Sequence, residues 1–319
     1  MRVVVEARAC SILRNLLLGA PEGTFLLPAN VCPVVPLTFR TLDRPFEFID
    51  IDGVDLCMDR RSIEERLAEA GSPPVVGVLY VRTYGIEQDL TGPFGAWKRQ
   101  HPELLLIDDR CLCRPEVDTA ESQGADVVLF STGYGKYVDL GFGGFALLSD
   151  SAGYVRSAEP FVETEARRLE ALYKQHIAEG RELVCKPHPG WIPSEGLEIS
   201  TPAYLEEIRR RIGPIASHKA ILNDVYRSTI PERLQLGMGY CSWRFQLRTP
   251  NKAALLEEIF QAGQFASGHY YPASRLFGGS YCPRAEDLYA DVVNLFNDFA
   301  LDESGARTIA ELIKRRKSS

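Results

Sequence analysis

The chain has 319 residues, of which 36 are Lys or Arg and 43 are Asp or Glu, giving a net charge of −7. An acidic balance argues against a protein that grips nucleic acid through its phosphates. A content of 45% hydrophobic and 25% charged residues is that of an ordinary globular protein, not of a disordered, collagenous or coiled-coil one, and the length predicts about two domains.

No apolar run reaches the roughly 18 residues of a membrane helix, so no membrane partner is expected. The first residues are basic and then apolar, a faint imitation of a signal peptide, but Glu6, Arg8, Arg14 and Asn15 interrupt the run. Cysteines stand at 10, 32, 57, 111, 113, 185, 241 and 282 without any CxxC pair. Zinc-site spacing is absent and no metal is expected. Unpatterned cysteines in a chain of this size read as reduced, small apolar residues of a cytoplasmic protein.

Residues 24–28 read as a short strand and 46–51 as a second. Ser62 and Glu65 have the spacing of a capping box, which predicts a helix through Leu67 and Ala68 with Gly71 just past its end. Residues 75–81 are a nearly all-apolar strand, a helix is expected around 94–100, and 104–107 lead into the acidic pair Asp108 and Asp109. Two more strands are expected at 126–131 and 144–148. Such apolar runs, separated by helices, predict an α/β fold with a mainly parallel sheet sandwiched between helices. Ligands bind at the carboxyl ends of such strands, where Arg82, Asp108, Asp109 and Ser131 fall. Residues 158–178 read as a charged helix with a Glu170–Lys174 pair, and 185–202, with Pro187, Pro189, Pro193 and Pro202, as a loop. Residues 204–227 read as a helix whose Arg209–Arg210–Arg211 run is a solvated face. From about Leu234 the composition resets. A strand at 243–247 and helices at 252–262, 287–296 and 304–315 predict a smaller α+β domain over 234–319, after a large domain over 1–233 that includes linking helices from 151.

The stretch from Phe130 to Gly144 carries the most chemistry. Lys136 follows a buried strand by five residues, and Gly141, Gly143 and Gly144 follow it before another apolar strand. Glycines let the backbone turn sharply or approach a ligand. A lysine held among apolar and glycine residues can act as an amine nucleophile, as a Schiff base with an aldehyde cofactor requires. Taken alone, Lys136 reads more readily as an exposed loop lysine beside a glycine turn. An aspartate ending a buried strand can sit under a pyridinium nitrogen, or it can cap the following turn.

Together and in this order, these residues resemble the DegT/StrS-type aminotransferases, enzymes of fold type I that use pyridoxal 5'-phosphate (PLP) and mostly aminate keto-sugar nucleotides. Phe130–Ser131, Lys136 and Gly141-Phe-Gly-Gly144 are similar to that family's FSxxxxK…GxGG segment, with every spacing kept. Ile107-Asp108-Asp109 resembles its strand end. Leu79-Tyr-Val-Arg-Thr-Tyr-Gly85 resembles its strand and Tyr-Gly turn. Ala7-Arg8-Ala9-Cys10 with Leu26-Leu-Pro28 is similar to its phosphate-binding helix start and the strand after it. Pro283-Arg-Ala-Glu286 is similar to its carboxyl end. The resemblance implies that Lys136 binds the cofactor covalently and moves protons, that Asp109 pairs with the pyridinium nitrogen, and that Ser131 with the backbone near Arg8 and Ala9 holds the phosphate. A phosphate at a helix start is also sound physics. The ring-stacking position, counted from Pro28, falls on Cys32. Arg82, His269 and Tyr270 are the residues expected toward the substrate. The donor implied is an amino acid, glutamate, the acceptor a carbonyl compound such as a keto-sugar nucleotide, and the assembly a homodimer. Another PLP reaction on the same fold, such as a lyase or aldolase, and a non-catalytic partner or regulatory protein are the alternatives.

The chain departs from the family at Leu112, where glutamine is usual, at Phe142, where glutamate is usual, and at Cys32, where an aromatic is usual. The Asn-x-Arg segment that reaches the partner's phosphate is not found, and Lys219 and Asn223 are the substitutes considered. The leader before the phosphate-binding helix is expected to be shorter than in relatives.

Overall fold

A computed structural model describes residues 1–69, 73–118, 121–157, 159–193 and 197–316. Gly71 and residue 158, the expected end of one helix and start of another, lie outside the described residues. Seven strands form one sheet: β1 (Arg2–Glu6), β2 (Thr24–Pro28), β3 (Phe46–Ile49), β4 (Val75–Val81), β5 (Leu105–Asp109), β6 (Val127–Ser131) and β7 (Gly144–Leu148), in the order β1-β7-β6-β5-β4-β2-β3. β7 runs antiparallel to both its neighbours. All other adjacent strands are parallel. The edge strand β1 lies inside the stretch that imitates a signal peptide, and its valine run is spent on pairing with β7.

Alternation across the sheet builds two cores. Leu27, Leu79, Ile107 and Leu129 pack with Leu13 and Leu16 of α1 (Ala9–Gly19) and with Leu37 and Phe39 of α2 (Val34–Thr41). Leu26, Val78, Tyr80 and Leu106 face the other way, onto Ile63 of α3 (Arg60–Ala68) and Phe94 and Trp97 of α4 (Thr91–Gln100). A strand buried on both faces needs no polar alternation, which is why β2, β5 and β6 are buried throughout.

Two helix starts differ from expectation because a better cap stands upstream, and a third begins late. Asp59, not Ser62, caps α3, accepting from the amides of Arg61 at 3.0 Å and Ser62 at 3.3 Å. A carboxylate placed ahead of the helix captures both amides and leaves Ser62 inside it. α5 (Glu163–Glu179) starts later than residue 158. α6 (Thr201–Thr229) starts earlier, with Ser200 as its cap and Pro202 in its first turn, where the missing N–H has no partner to lose.

The second sheet has three antiparallel strands, β8 (Phe245–Arg248), β9 (Ala266–Gly268) and β10 (Val292–Leu295), in the order β8-β10-β9. α7 (Lys252–Gln261) and α10 (Glu303–Arg315) share its core, whereas α8 (Ala273–Phe277) and α9 (Pro283–Asp291) bury Leu276, Phe277 and Leu288 in the core of the large sheet. The helix expected over 287–296 is two elements: α9 stops at Asp291, and the next four residues are the central strand. Pairing on both edges outweighs the helical period of that run.

α6 belongs to both halves. Tyr204, Ile208, Ile212 and Ile215 pack on Val128, Phe130 and Phe145 of the large sheet, while Leu222, Val225 and Tyr226 pack with Phe245, Leu247 and Ile309 of the small one. The boundary expected at 233/234 falls between α6 and β8. Among the described residues no helix is long and apolar enough to cross a membrane.

Candidate active site

Successive residues at the end of β5 point to opposite faces. Asp108 is fully buried and receives Arg82 Nε at 2.9 Å, Arg82 Nη2 at 2.8 Å and Arg110 Nε at 2.8 Å. Arg82 also donates to the Gln88 carbonyl at 2.6 Å and to Gln123 Oε1 at 2.9 Å. Its guanidinium is thus spent inside the chain and is not presented to a substrate, contrary to expectation. Asp109 faces the other way. Its Oδ1 accepts from the Cys111 amide at 2.9 Å. Burial raises its pKa above the usual carboxylate range, partly offset by that amide and by the charge of Lys136.

Asp109 and Lys136 line one cavity of about 40 Å³, together with Thr83, Cys32, His269 and Tyr270. Lys136 is half-buried, and among the described residues its Nζ has no hydrogen-bond or ion-pair partner. The loop that carries it is pinned: Asp139 accepts from the amides of Gly135 at 2.7 Å and Gly141 at 2.8 Å, and Trp243 Nε1 donates to the Gly135 carbonyl at 2.6 Å. Leu112 also borders the cavity, whereas Phe142 is 39% exposed and turned toward Tyr204.

A second group of donors gathers at the start of α1. Arg8 is the residue before its first turn, and Arg8 Nη1 donates to the Gly141 carbonyl at 2.7 Å. The buried Ser131 Oγ accepts from the Gly133 amide at 3.3 Å. A Cβ added at Gly133 would stand 3.4 Å from Arg8 Nη1 and 3.6 Å from Ser131 Oγ, so the two side chains converge there. The amides of Ala9 and Cys10 belong to the first turn, where N–H groups have no helical acceptor and favour an anion. Gly144 makes this approach possible, because a Cβ there would stand 2.5 Å from the Ala9 nitrogen.

His269 is fixed by two bonds. Its Nε2 donates to the Asn30 carbonyl at 2.9 Å, so its Nδ1 accepts from the Tyr84 hydroxyl at 2.9 Å. Burial pulls its pKa down to about 4, and the ring is neutral at pH 7. Tyr270 lies against Cys32, and that sulfur together with burial raises the phenol well above its ordinary range. Tyr84 orients His269 across 185 residues of chain, a pairing that no local pattern announces.

Lys219 and Asn223 do not reach outward. Lys219 Nζ donates to the Trp243 carbonyl at 2.6 Å and to Asn297 Oδ1 at 2.7 Å, and Asn223 Nδ2 donates to the Cys241 carbonyl at 3.0 Å. Larger grooves of about 530 and 700 Å³ lie beside α6 and between α7 and α10. Neither contains the Lys136–Asp109 pair, so the smaller cavity is the better candidate.

No family model matches the sequence, and no curated protein matches it. Solved structures do match. A sugar aminotransferase of Streptococcus pneumoniae in its PMP form shares 15% identity over 100% of this chain and 88% of its own, with a TM-score of 0.72. A DegT DnrJ EryC1 StrS aminotransferase of Brucella abortus gives 14%, 100%, 87% and 0.71. DesV of S. venezuelae, in complex with a ketimine intermediate, gives 16%, 99%, 85% and 0.71. The chain therefore has the fold-type I architecture found in these aminotransferases.

Proposed function

We propose that this chain is a PLP-dependent aminotransferase that carries an amino group from an amino acid, glutamate, to a carbonyl acceptor, a keto-sugar nucleotide. The observation that carries the reading is that the partnerless Lys136 amine and the buried Asp109 carboxyl share one cavity beyond the carboxyl ends of the central strands β5 and β6. The fold common to sugar aminotransferases supports the reaction class and the acceptor class.

The donor set suits the cofactor in three places: an amine for its aldehyde, a carboxyl for its ring nitrogen, and the Arg8, Ser131 and α1 cluster for its phosphate. The cavity of about 40 Å³ is well below the roughly 300 Å³ from which small-molecule sites start. Loading therefore requires the wall formed by Cys32, His269 and Tyr270 to yield. Bound there, the cofactor would supply an electron-withdrawing ring. Lys136 Nζ is the attachment point and the base that takes a proton at the donor's α-carbon. Asp109 holds a proton at the ring nitrogen. Ser131, Arg8 and the Ala9 amide anchor the phosphate. His269, neutral and bonded to Tyr84 and Asn30, holds the wall beside Tyr270. The division at 233/234 and a homodimer complete the proposal.

Absorption spectroscopy tests it. After incubation with PLP the protein should show a near-visible band that borohydride abolishes, Lys136→Ala should lack it, and glutamate should discharge it. A wild-type protein that stays colourless refutes the cofactor, and a band indifferent to every amino acid refutes the transfer.

A further inference from the structure

Lys136 is gripped through its neighbours on both sides. The peptide that precedes it is bonded at both ends: Trp243 Nε1 donates to the Gly135 carbonyl at 2.6 Å, and the Lys136 amide donates to the Gly133 carbonyl at 3.3 Å. A peptide unit is planar, so two bonds fix its plane and with it the direction in which the Lys136 side chain leaves the backbone. On the other side, the ring of the buried Tyr137 has its centroid 5.1 Å from Lys219 Nζ, within reach of a cation–π contact. The two grips are one unit, because Lys219 Nζ also donates to the Trp243 carbonyl at 2.6 Å.

The anchors of this unit lie outside the loop. The Trp243 ring is 6° from parallel to that of Tyr84, with centroids 6.1 Å apart, and Tyr84 is itself tied to His269. Lys219 stands on α6 and donates to Asn297 Oδ1 at 2.7 Å, while Asn297 Nδ2 donates to Asn223 Oδ1 at 2.9 Å. Asp139 bonds only amides of the loop itself. It therefore shapes the turn without placing it against the sheet. Tyr134, two residues before Lys136, is 77% exposed, so the tight packing is confined to the flanks of the lysine.

We propose that Trp243 and Lys219 are positioning residues that hold the Lys136 amine in the cavity it shares with Asp109. This rests on reading Lys136 as the reactive amine. The test labels the cofactor-free full chain with a trace of acetic anhydride and reads Lys136 by mass spectrometry, with the exposed Lys174 as internal reference. It is run at pH 6.5, below the value of about 7 to which burial lowers Lys219. Trp243→Phe keeps a ring and removes the N–H. It should raise Lys136 labelling about fivefold relative to Lys174, the effect of one lost hydrogen bond. It should weaken PLP binding by a similar factor, because the freed loop must be ordered on binding. Lys219→Met should act in the same direction, and Tyr137→Leu more strongly than Tyr137→Phe, which keeps the ring. Trp97→Phe is the control for a merely structural role. It deletes an indole donor bonded to Glu64 at 3.2 Å, in the core on the other face of the sheet from Trp243. It should lower the melting temperature and leave Lys136 labelling unchanged. Unchanged labelling in Trp243→Phe, or an equal rise in Trp97→Phe, overturns the assignment. If Trp243→Phe does not fold, judged by its thermal melt, the Tyr137 pair decides, and equal labelling in Tyr137→Leu and Tyr137→Phe overturns it too. The PLP band separates the two readings. A normal band with labelling indifferent to Trp243 rejects the grip alone. A colourless protein with Trp243-dependent labelling rejects the cofactor alone.

Discussion

Asp108 and Asp109 differ by one position and by the side of the sheet they face. Converting Asp108 to Asn leaves Arg82 and Arg110 buried without their shared charge, a change that costs about 3–5 kcal/mol. Asp108→Asn should therefore lower the urea midpoint sharply, and a midpoint equal to the parent's would show that the clamp contributes nothing. Asp109 behaves in the opposite way. Its carboxyl titrates higher folded than unfolded, so the stability it contributes is full below the ordinary carboxylate range and is lost as pH rises through the raised value. Without cofactor, Asp109→Asn should melt at a higher temperature than the parent at pH 7, with the advantage gone at acid pH. With cofactor, it should keep some binding and lose most turnover. A variant less stable than the parent at pH 7 contradicts the first statement, and full turnover contradicts the second. The Lys136 segment was legible in the sequence because the local spacing of lysine and glycines carries its chemistry. The fate of Arg82 was not, because its partners, Asp108 and Gln123, lie 26 and 41 residues away along the chain.

At the scale of elements, the approach of α1 to β7 shapes the corner proposed for the phosphate. Ser131→Ala removes a hydroxyl from that corner. A hydrogen bond to a charged group contributes about 1.5–3 kcal/mol, so cofactor affinity should fall at least about tenfold while the fold persists. Equilibrium dialysis with PLP measures this, and an unchanged affinity would place the phosphate elsewhere. Gly144→Ala should be worse, because its new methyl would collide with the Ala9 backbone and not with a flexible side chain. The buried parallel strands were legible as apolar runs. Three other strands were not. β1 hides in a basic-then-apolar start, β9 is three residues long, and β10 continues the helical period of α9. In each case the strand exists because a distant partner pairs with it, a fact that no local window holds.

Across the whole molecule, Lys219 sits on α6 where the small sheet meets the large one, 4% exposed and bonded to Trp243 and Asn297. Burial lowers its pKa to about 7. Between that value and its ordinary one near 10.5, the unfolded chain holds a proton that the folded chain has released, so this group makes stability rise with pH across that window. In Lys219→Met the rise between pH 7 and 10 should flatten, as denaturant curves at several pH values would show, and an identical slope would exclude Lys219 as its source. The helix itself has a wider effect. Its 29 residues span about 43 Å at 1.5 Å each, with one end embedded in each hydrophobic cluster. Neither cluster can melt without stripping apolar residues from a helix the other needs. Calorimetry should accordingly record a single heat-absorption peak, not two, and a protease that nicks α6 should collapse both halves at once. Two sequence regions with different compositions would then be a single cooperative unit, joined by a shared beam instead of a tether.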